Sequence, residues 1–578
     1  MKKIAALVLF AAFVSTLRGQ TNILCTNPLA EQVMLGNYDP AQYAADVVIT
    51  DPAIISSGIA SGVSPDSLKS YIIRLSQFGT RNTGSDTLSN TSGYGAARRW
   101  TVQQFPQFSA EHEDRLIVSY LQFDQDICGM GRHANVLAIL PGTDTVNPGI
   151  ILIEGHMDSR CAVLCDVNCT AEGVEDNASG TALVLELARV MSPYTFANTL
   201  VFCITTGEEQ GLLGAEAMAQ YIQNKGITLR AVLNNDVIGG VICGQTSSPP
   251  SCPGLNDVDS TSVRLFSALS FNSPHKQLAR YIKLQYKENI LPTAAVPMNV
   301  RIMAPEDRTG RGGDHIPFRE KGFTAMRFTA ANEHGDASNG PGYTDRQHTS
   351  SDVLGVDTDG DGSVDSFFVQ FNYLARNAVI NGNAAAMIAR VIPRPADFTA
   401  FRTGTQLTVS ITDPAALGQY RVALRTATND WDTVFTLAGN TGVFPCNPTG
   451  AVIVSVAGVD AQGIESLFGN EKLATNVSAT GTPLDESSAP IRLFQNRPNP
   501  FDEATWISFW VNEVPKYQKA WVQISDLQGK EIARLPVVLQ QGMNETLYTH
   551  GYGVYGYFTY SLIIDGQIVD SRQMVFAN

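Results

Sequence analysis

Three apolar runs, each ending beside a side chain that can hold a metal, constrain this chain more than anything else in it. Ile150–Ile153 leads into Gly155-His156-Met157-Asp158. Thr199–Ile204 leads into Gly207-Glu208-Glu209-Gln210-Gly211, and Leu229–Asn234 into Asn235-Asp236. Runs this short and this apolar read as buried strands. Helical patterns follow two of them, at Thr181–Met191 and Leu212–Gln223. Strand, turn and helix in repetition predict an α/β sheet, which binds ligands outside the carboxyl ends of its strands. His156, Glu208, Glu209 and Asp236 are therefore expected on one rim. A single loop carboxylate is usually just solvated; several at matched strand ends point to a site.

Two further stretches carry the same residue types. They are Asp176-Asn177-Ala178-Ser179-Gly180 and Gln347-His348-Thr349. Two histidines, two aspartates and one glutamate make a zinc donor set. Peptide hydrolysis needs an activated water, a polarised carbonyl and a proton for the leaving amine. Two zinc ions about 3.5–4 Å apart supply the first two. Asp176 is the candidate bridge, His156 and Asp236 complete one ion, and Glu209 and His348 the other. Glu208, beside a ligand, is the candidate base. Asp158 is expected to hydrogen-bond the far nitrogen of His156 and fix its tautomer.

His156-x-Asp158, Asp176-Asn177-x-Ser179-Gly180, Gly207-Glu208-Glu209-x-Gly211, Asn235-Asp236 and His348-Thr349-x-x-Asp352 together resemble the co-catalytic di-zinc aminopeptidase family, which also has glutamate carboxypeptidase-like and glutaminyl cyclase-like members. The resemblance spans about residues 64–392. It implies an α/β domain on a mostly parallel sheet flanked by helices, two zinc ions, and removal of N-terminal residues from peptides. It also implies a strained, often cis, Asp176-Asn177 peptide. Two positions depart from the pattern. Gln347 stands where relatives often place an aromatic residue, with Tyr343 the nearest one upstream, and Gly313-Asp314-His315 replaces a Ser-Asp-His turn. Rival readings are glutaminyl cyclase chemistry with one zinc, and an inactive surface binding protein on the same fold.

Residues 1–20 read as a secretory signal: Lys2-Lys3, an apolar core Ile4–Val14, then small and polar residues. The core is too short to span a bilayer, and no other long apolar run follows. A soluble, exported mature protein is expected. A net charge of −15 argues against a nucleic-acid partner. The nine cysteines suit an oxidising destination. Cys243 and Cys252 are the first candidate pair. Cys161, Cys165 and Cys169 crowd one loop, read as a disulfide knot rather than a zinc cluster, and Cys203 inside an apolar strand is the expected buried thiol.

Residues 21–63 read as a loop-like N-terminal extension with scattered Pro and Gly. Residues 396–485 switch to short β-patterned runs of the fibronectin or immunoglobulin kind. A linker at 478–490 leads to a second β-patterned domain over 491–578. Within it, Phe494-Gln495-Asn496-Arg497-Pro498-Asn499-Pro500-Phe501, Asp526-Leu527-Gln528-Gly529-Lys530, Gly553-Val554-Tyr555 and Arg572–Phe576 resemble a type IX secretion sorting domain. That resemblance implies the type IX machinery as partner, passage through the periplasm, and release or attachment at the cell surface. Finally, Asp357-x-Asp359-x-Asp361-Gly362-x-x-Asp365 has the oxygens of a calcium loop. Phe368 stands where an EF-hand needs its last Glu, so a standard EF-hand fails.

Overall fold

The computed structural model describes residues 19–577, apart from 245–253, 269–272, 334–345, 396, 427–429, 447–451, 477–489, 502–503, 527–528 and 551–555. Most of the signal stretch, Cys252, Tyr343, most of the 478–490 linker, Leu527-Gln528 and Gly553-Val554-Tyr555 therefore lie outside the described residues.

One nine-stranded sheet organises the N-terminal two thirds. In chain order its strands are β1 (Thr21–Cys25), β2 (Ile117–Ile127), β3 (Met130–Leu140), β4 (Ile150–His156), β5 (Thr199–Thr205), β6 (Leu229–Asn235), β7 (Ser262–Ser267), β8 (Asn299–Ile302) and β9 (Ala325–Ala330). They lie side by side as β1-β2-β3-β5-β4-β6-β9-β7-β8. The three apolar runs Ile150–Ile153, Thr199–Ile204 and Leu229–Asn234 fall in β4, β5 and β6, parallel neighbours at the centre. Both faces are covered, so β4 and β5 are buried at every residue.

The sheet is mixed, which corrects the mostly parallel expectation. β1/β2, β2/β3, β3/β5 and β9/β7 pair antiparallel. The cause is local at β2–β3. Ile127 pairs with Met130 across a two-residue turn, and Cys128 and Gly129 both have positive φ (52° and 82°). A tight primed turn of this kind can only return the chain antiparallel.

The helices are α1 (Pro28–Met34), α2 (Pro52–Gly62), α3 (Pro65–Ser76), α4 (Gly93–Ala110), α5 (Ser179–Met191), α6 (Leu213–Lys225), α7 (Pro274–Gln285), α8 (His315–Glu320) and α9 (Phe371–Ile388). Apolar residues of α2–α5, α7 and α9 pack on one face of the sheet. Those of α1, α6 and α8 pack on the other. Residues 21–63 are thus structural rather than loop-like: β1 extends the sheet, and Ile55 and Ile59 of α2 are fully buried. The prolines there start helices instead of breaking them. Asn27 and Asp51 accept hydrogen bonds from the first-turn amides of α1 and α2, with Pro at the first helical position.

Beyond α9 come two sandwiches. The first packs the strands 397–403, 406–412, 441–445 and 475–476 against 419–425, 433–438, 453–459 and 472–473. Its Trp431 and Phe468 insert into the core of the nine-stranded domain, and its Glu471 accepts from Arg280 of α7 at 3.0 Å. The second sandwich joins a three-stranded sheet to a four-stranded one, the latter including Gly556–Ile564 and Gln567–Phe576. No helix among the described residues is long and apolar enough to cross a membrane.

Candidate metal centre

Each parallel strand delivers its side chains at its carboxyl end. His156 closes β4, Glu208 and Glu209 sit in the turn after β5, and Asp236 follows β6. Asp176 and Asn177 precede α5, joined by a cis peptide. The start of α5 must come very close to the end of β6. A Cβ on Gly180 would fall 2.1 Å from the Asn235 carbonyl oxygen, which accounts for the glycine. His348 arrives from the loop after β9 with φ of 59°, and Val237, beside Asp236, has φ of 52°. For residues with a side chain such backbone costs of order 1–3 kcal/mol each, held by the surrounding packing.

Asp176 lies between the two histidines. Its Oδ1 is 3.3 Å from His156 Nε2 and its Oδ2 is 3.0 Å from His348 Nε2. Asp236 Oδ1 is 3.3 Å from His156 Nε2, and Glu209 Oε2 is 3.2 Å from His348 Nε2. Two triads result, His156/Asp176/Asp236 and Asp176/Glu209/His348, each with donor atoms within 4.8 Å of one another. Glu208 belongs to neither; its Oε2 stands 3.9 Å from His156 Nε2.

The charges shape one another. Burial opposes ionisation of Asp176, but both histidines outweigh it and hold its carboxyl well below the usual range. Burial also opposes a charged His156, and Glu208 and Asp236 reverse that, raising it well above an ordinary histidine. Burial, with Asp236 and Glu209 nearby, pushes Glu208 well up, suiting it to exchange a proton.

Asp158 does not act as expected. The far nitrogen of His156, Nδ1, donates to the Asp158 main-chain oxygen at 3.1 Å, while the Asp158 carboxylate stays 3.7 Å away. That carboxylate instead accepts from the amides of Glu208 (3.3 Å) and Glu209 (3.1 Å), fixing the turn that carries both glutamates. Gln347 takes a role the sequence did not indicate. Its Nε2 donates to Asp176 Oδ2 at 2.7 Å and its Oε1 accepts from Arg311 at 3.1 Å. Asp314 accepts from Thr205 Oγ1 at 2.5 Å, and burial raises its carboxyl to about 7. Asp352 accepts from the amides of Glu175 and Asp176, orienting Asp176.

Two arginines escaped sequence reasoning. Arg327 of β9 is fully buried, with Nη2 3.1 Å from Asp236 Oδ2 and Nη1 3.3 Å from Asp307 Oδ1. A charge inside the apolar run Ala325–Phe328 was the available sign, since a buried guanidinium needs a carboxylate partner. Arg160 donates from Nε to Glu209 Oε2 at 2.7 Å, and its Nη2 lies 2.5 Å from His348 Nδ1. No motif marked it.

The cysteine loop forms two disulfides, Cys128–Cys165 and Cys161–Cys169, so no zinc cluster sits there; Cys128 was the partner not foreseen. Cys203 is a buried free thiol, as expected, and Cys25 is another. In the acidic turn, Asp357, Asp359 and Asp361 converge. Asp365 does not join them, because both its oxygens accept from Thr358.

The protein class follows from these positions: a buried histidine–carboxylate donor set at strand ends, with a spare carboxylate beside it, is a metallohydrolase centre. Residues 135–367 match the model of Peptidase family M28. A probable zinc metalloprotease of Leptosphaeria maculans is 28% identical over 382 residues, covering 63% of this chain and 84% of the relative. Another, of Pyricularia oryzae, is 32% identical over 352 residues, covering 58% and 66%. Of several further fungal relatives this chain spans only 51–65%. Among solved structures, the LapA aminopeptidase of Legionella pneumophila aligns at TM-score 0.41 and 17% identity, covering 60% of this chain and 78% of that one. A glutaminyl cyclase from an Acidobacteriales bacterium aligns at TM-score 0.37 and 16% identity, covering 60% and 97%.

Proposed function

We propose that the chain is an exported aminopeptidase that binds two zinc ions and hydrolyses the first peptide bond of peptides and proteins with free N-termini. One observation carries the reading: the two oxygens of Asp176 address different histidines, each of which has a second carboxylate within 3.3 Å. The donor set suits zinc, and Glu209 Oε1 is buried without a hydrogen-bond partner, an oxygen left over for a cation. His156, Asp176 and Asp236 would hold one ion, and Asp176, Glu209 and His348 the other. When bound, the pair supplies Lewis acidity to a water and to the scissile carbonyl.

The chain's own residues do the rest. Glu208, raised by burial, takes the proton of the attacking water and passes it to the departing amine. Asp158 holds Glu208 and Glu209 in register through their amides. Gln347 and Asp352 keep Asp176 turned edge-on between the histidines.

A panel of aminoacyl-anilides, with and without chelator, tests this reading. Metal-dependent release is expected, with turnover in Glu208→Gln lower by about 10²–10⁴-fold. Cyclisation of N-terminal glutaminyl peptides without hydrolysis would establish cyclase chemistry instead, and no turnover of any substrate would establish a binding protein.

Export rests on the signal-like residues 1–20 and on two disulfides. The 491–578 domain is proposed as a type IX sorting tail that routes the protein through the periplasm to the surface or medium. Fractionating cells that express the chain with and without residues 491–578 tests both. The Asp357–Asp361 turn is proposed as a weak calcium site, its Asp357 accepting from the Gly360 and Gly362 amides. Calorimetric titration against Asp359→Ala checks it.

A further inference from the structure

A cavity of about 690 Å³ lies beside α9 and shares no lining residue with the metal centre. Sites for small organic ligands span about 300–1,000 Å³ and combine apolar walls with a few polar groups. Here Ala60 and Val63, at the end of α2, and Ile290 and Val296, between α7 and β8, form apolar walls. Val296 is 40 % exposed, so this wall is wetted rather than sealed. Asn372, Ala375, Arg376 and Val379 of α9 follow the i, i+3, i+4, i+7 spacing and line the cavity together. Asn377 and Asn381 leave α9 on another side and donate to the Ile238 carbonyl at 3.1 Å and to Asn235 Oδ1 at 2.6 Å. That side holds the strand end next to Asp236, so the helix separates cavity from centre.

One charged side chain lines the cavity, and it has no acid to balance it. Arg376 is half-buried. Its Nη2 donates to the Ser260 carbonyl at 2.7 Å and its Nε to Met298 Sδ at 3.4 Å. Among the described residues no carboxylate pairs with it. Asp259, next to Ser260 in the chain, is taken by Arg301 at 3.0 Å. Burial lowers the guanidinium from the usual arginine range, and only the phenols of Tyr373 and Tyr286 oppose the shift. A charge drawn out of water normally has a counter-charge. One cation suits one negative charge, and a planar guanidinium fits the two oxygens of a carboxylate.

We propose that this cavity binds a small molecule carrying a single carboxylate on an apolar body. The carboxylate would pair with Arg376 and the body would lie against Val63, Ile290 and Val379. A medium-chain fatty acid and the free C-terminus of a short apolar peptide share this chemistry. The proposal stands apart from the metal-centre reading and holds whether or not the chain is a peptidase.

Isothermal titration calorimetry of the full chain tests it. The probes are octanoate and N-acetyl-dileucine, each beside its neutral counterpart, octanol and the dileucine amide. Wild type, Arg376→Met and Arg376→Lys are compared, with thermal melts to verify folding. At least one carboxylate should bind wild type saturably at one per chain, about tenfold or more tighter than its neutral counterpart, the worth of a charge-assisted hydrogen bond. Arg376→Met should lose about that tenfold, and Arg376→Lys, which keeps the charge without the fork, should lose less. Binding of octanoate alone would assign the site to fatty acids, and binding of N-acetyl-dileucine alone to peptide C-termini. No saturable binding of either carboxylate, neutral counterparts that bind as well, or undiminished binding in Arg376→Met would overturn the proposal.

Discussion

Arg327→Met is the perturbation whose size the structure fixes most closely. The side chain is fully buried, and its guanidinium contacts Asp236 at 3.1 Å, Asp307 at 3.3 Å and the Gly312 carbonyl at 2.9 Å. Methionine fills most of the volume but removes the charge. Asp307 keeps Arg308 at 2.9 Å. Asp236 Oδ2 loses the charged partner that balanced it. Removing one member of a buried pair costs about 3–5 kcal/mol, mostly from the stranded charge. For a large domain, each kcal/mol moves the melting point by about 2 °C, so the peptidase transition should fall by about 6–10 °C. Scanning calorimetry of the full chain reads this directly. Arg327→Lys should recover part of the loss, because one ammonium can serve only one of the two aspartates. A transition in Arg327→Met within about 1 °C of wild type would show that the buried pair contributes nothing and would refute the reasoning.

Two further outcomes follow. Glu545 of the second sandwich accepts from Ser508 at 2.8 Å, while its other oxygen is buried without a partner. Burial raises its carboxyl to about 7; Arg425 and Arg280 pull it down and Glu471 pushes it up. A carboxyl raised in the fold binds its proton more tightly there than when unfolded, so stability is full below about pH 4.5 and falls as pH rises through 7. Glu545→Gln should remove on the order of 1–3 kcal/mol of that slope in melts from pH 4.5 to 8, and an unchanged slope would count against the assignment. Reducing the two disulfides should free the loop that exposes Val163 and Leu164. Limited proteolysis should then cut between Cys161 and Cys169, and identical digestion with and without reductant would show that the bridges do not hold the loop.

How much of this was legible in the sequence depends on what kind of residue carried it. His156, Glu208, Glu209 and Asp236 could be placed because buried strands leave unbroken apolar runs, and the residue ending such a run marks the rim. Asp176 and His348 lie in loops without periodicity, and the motif alone brought them in. Arg160 stayed hidden because a loop arginine has no pattern until the fold puts it beside His348. The antiparallel edges were missed because strand direction is set by connections: Cys128-Gly129 does not look like a favoured hairpin turn, and its φ values were needed to see it. In residues 21–63 scattered Pro and Gly suggest loops, although Asn or Asp before Pro, as at Asn27-Pro28 and Asp51-Pro52, also begins a helix.

The central claim, that Asp176 joins two metal sites, is tested most directly by counting zinc. Metal analysis of the full chain at saturating buffered zinc should give two ions for wild type and, for Asp176→Ala, at most one. One ion in wild type, or two retained without the Asp176 carboxylate, would contradict it.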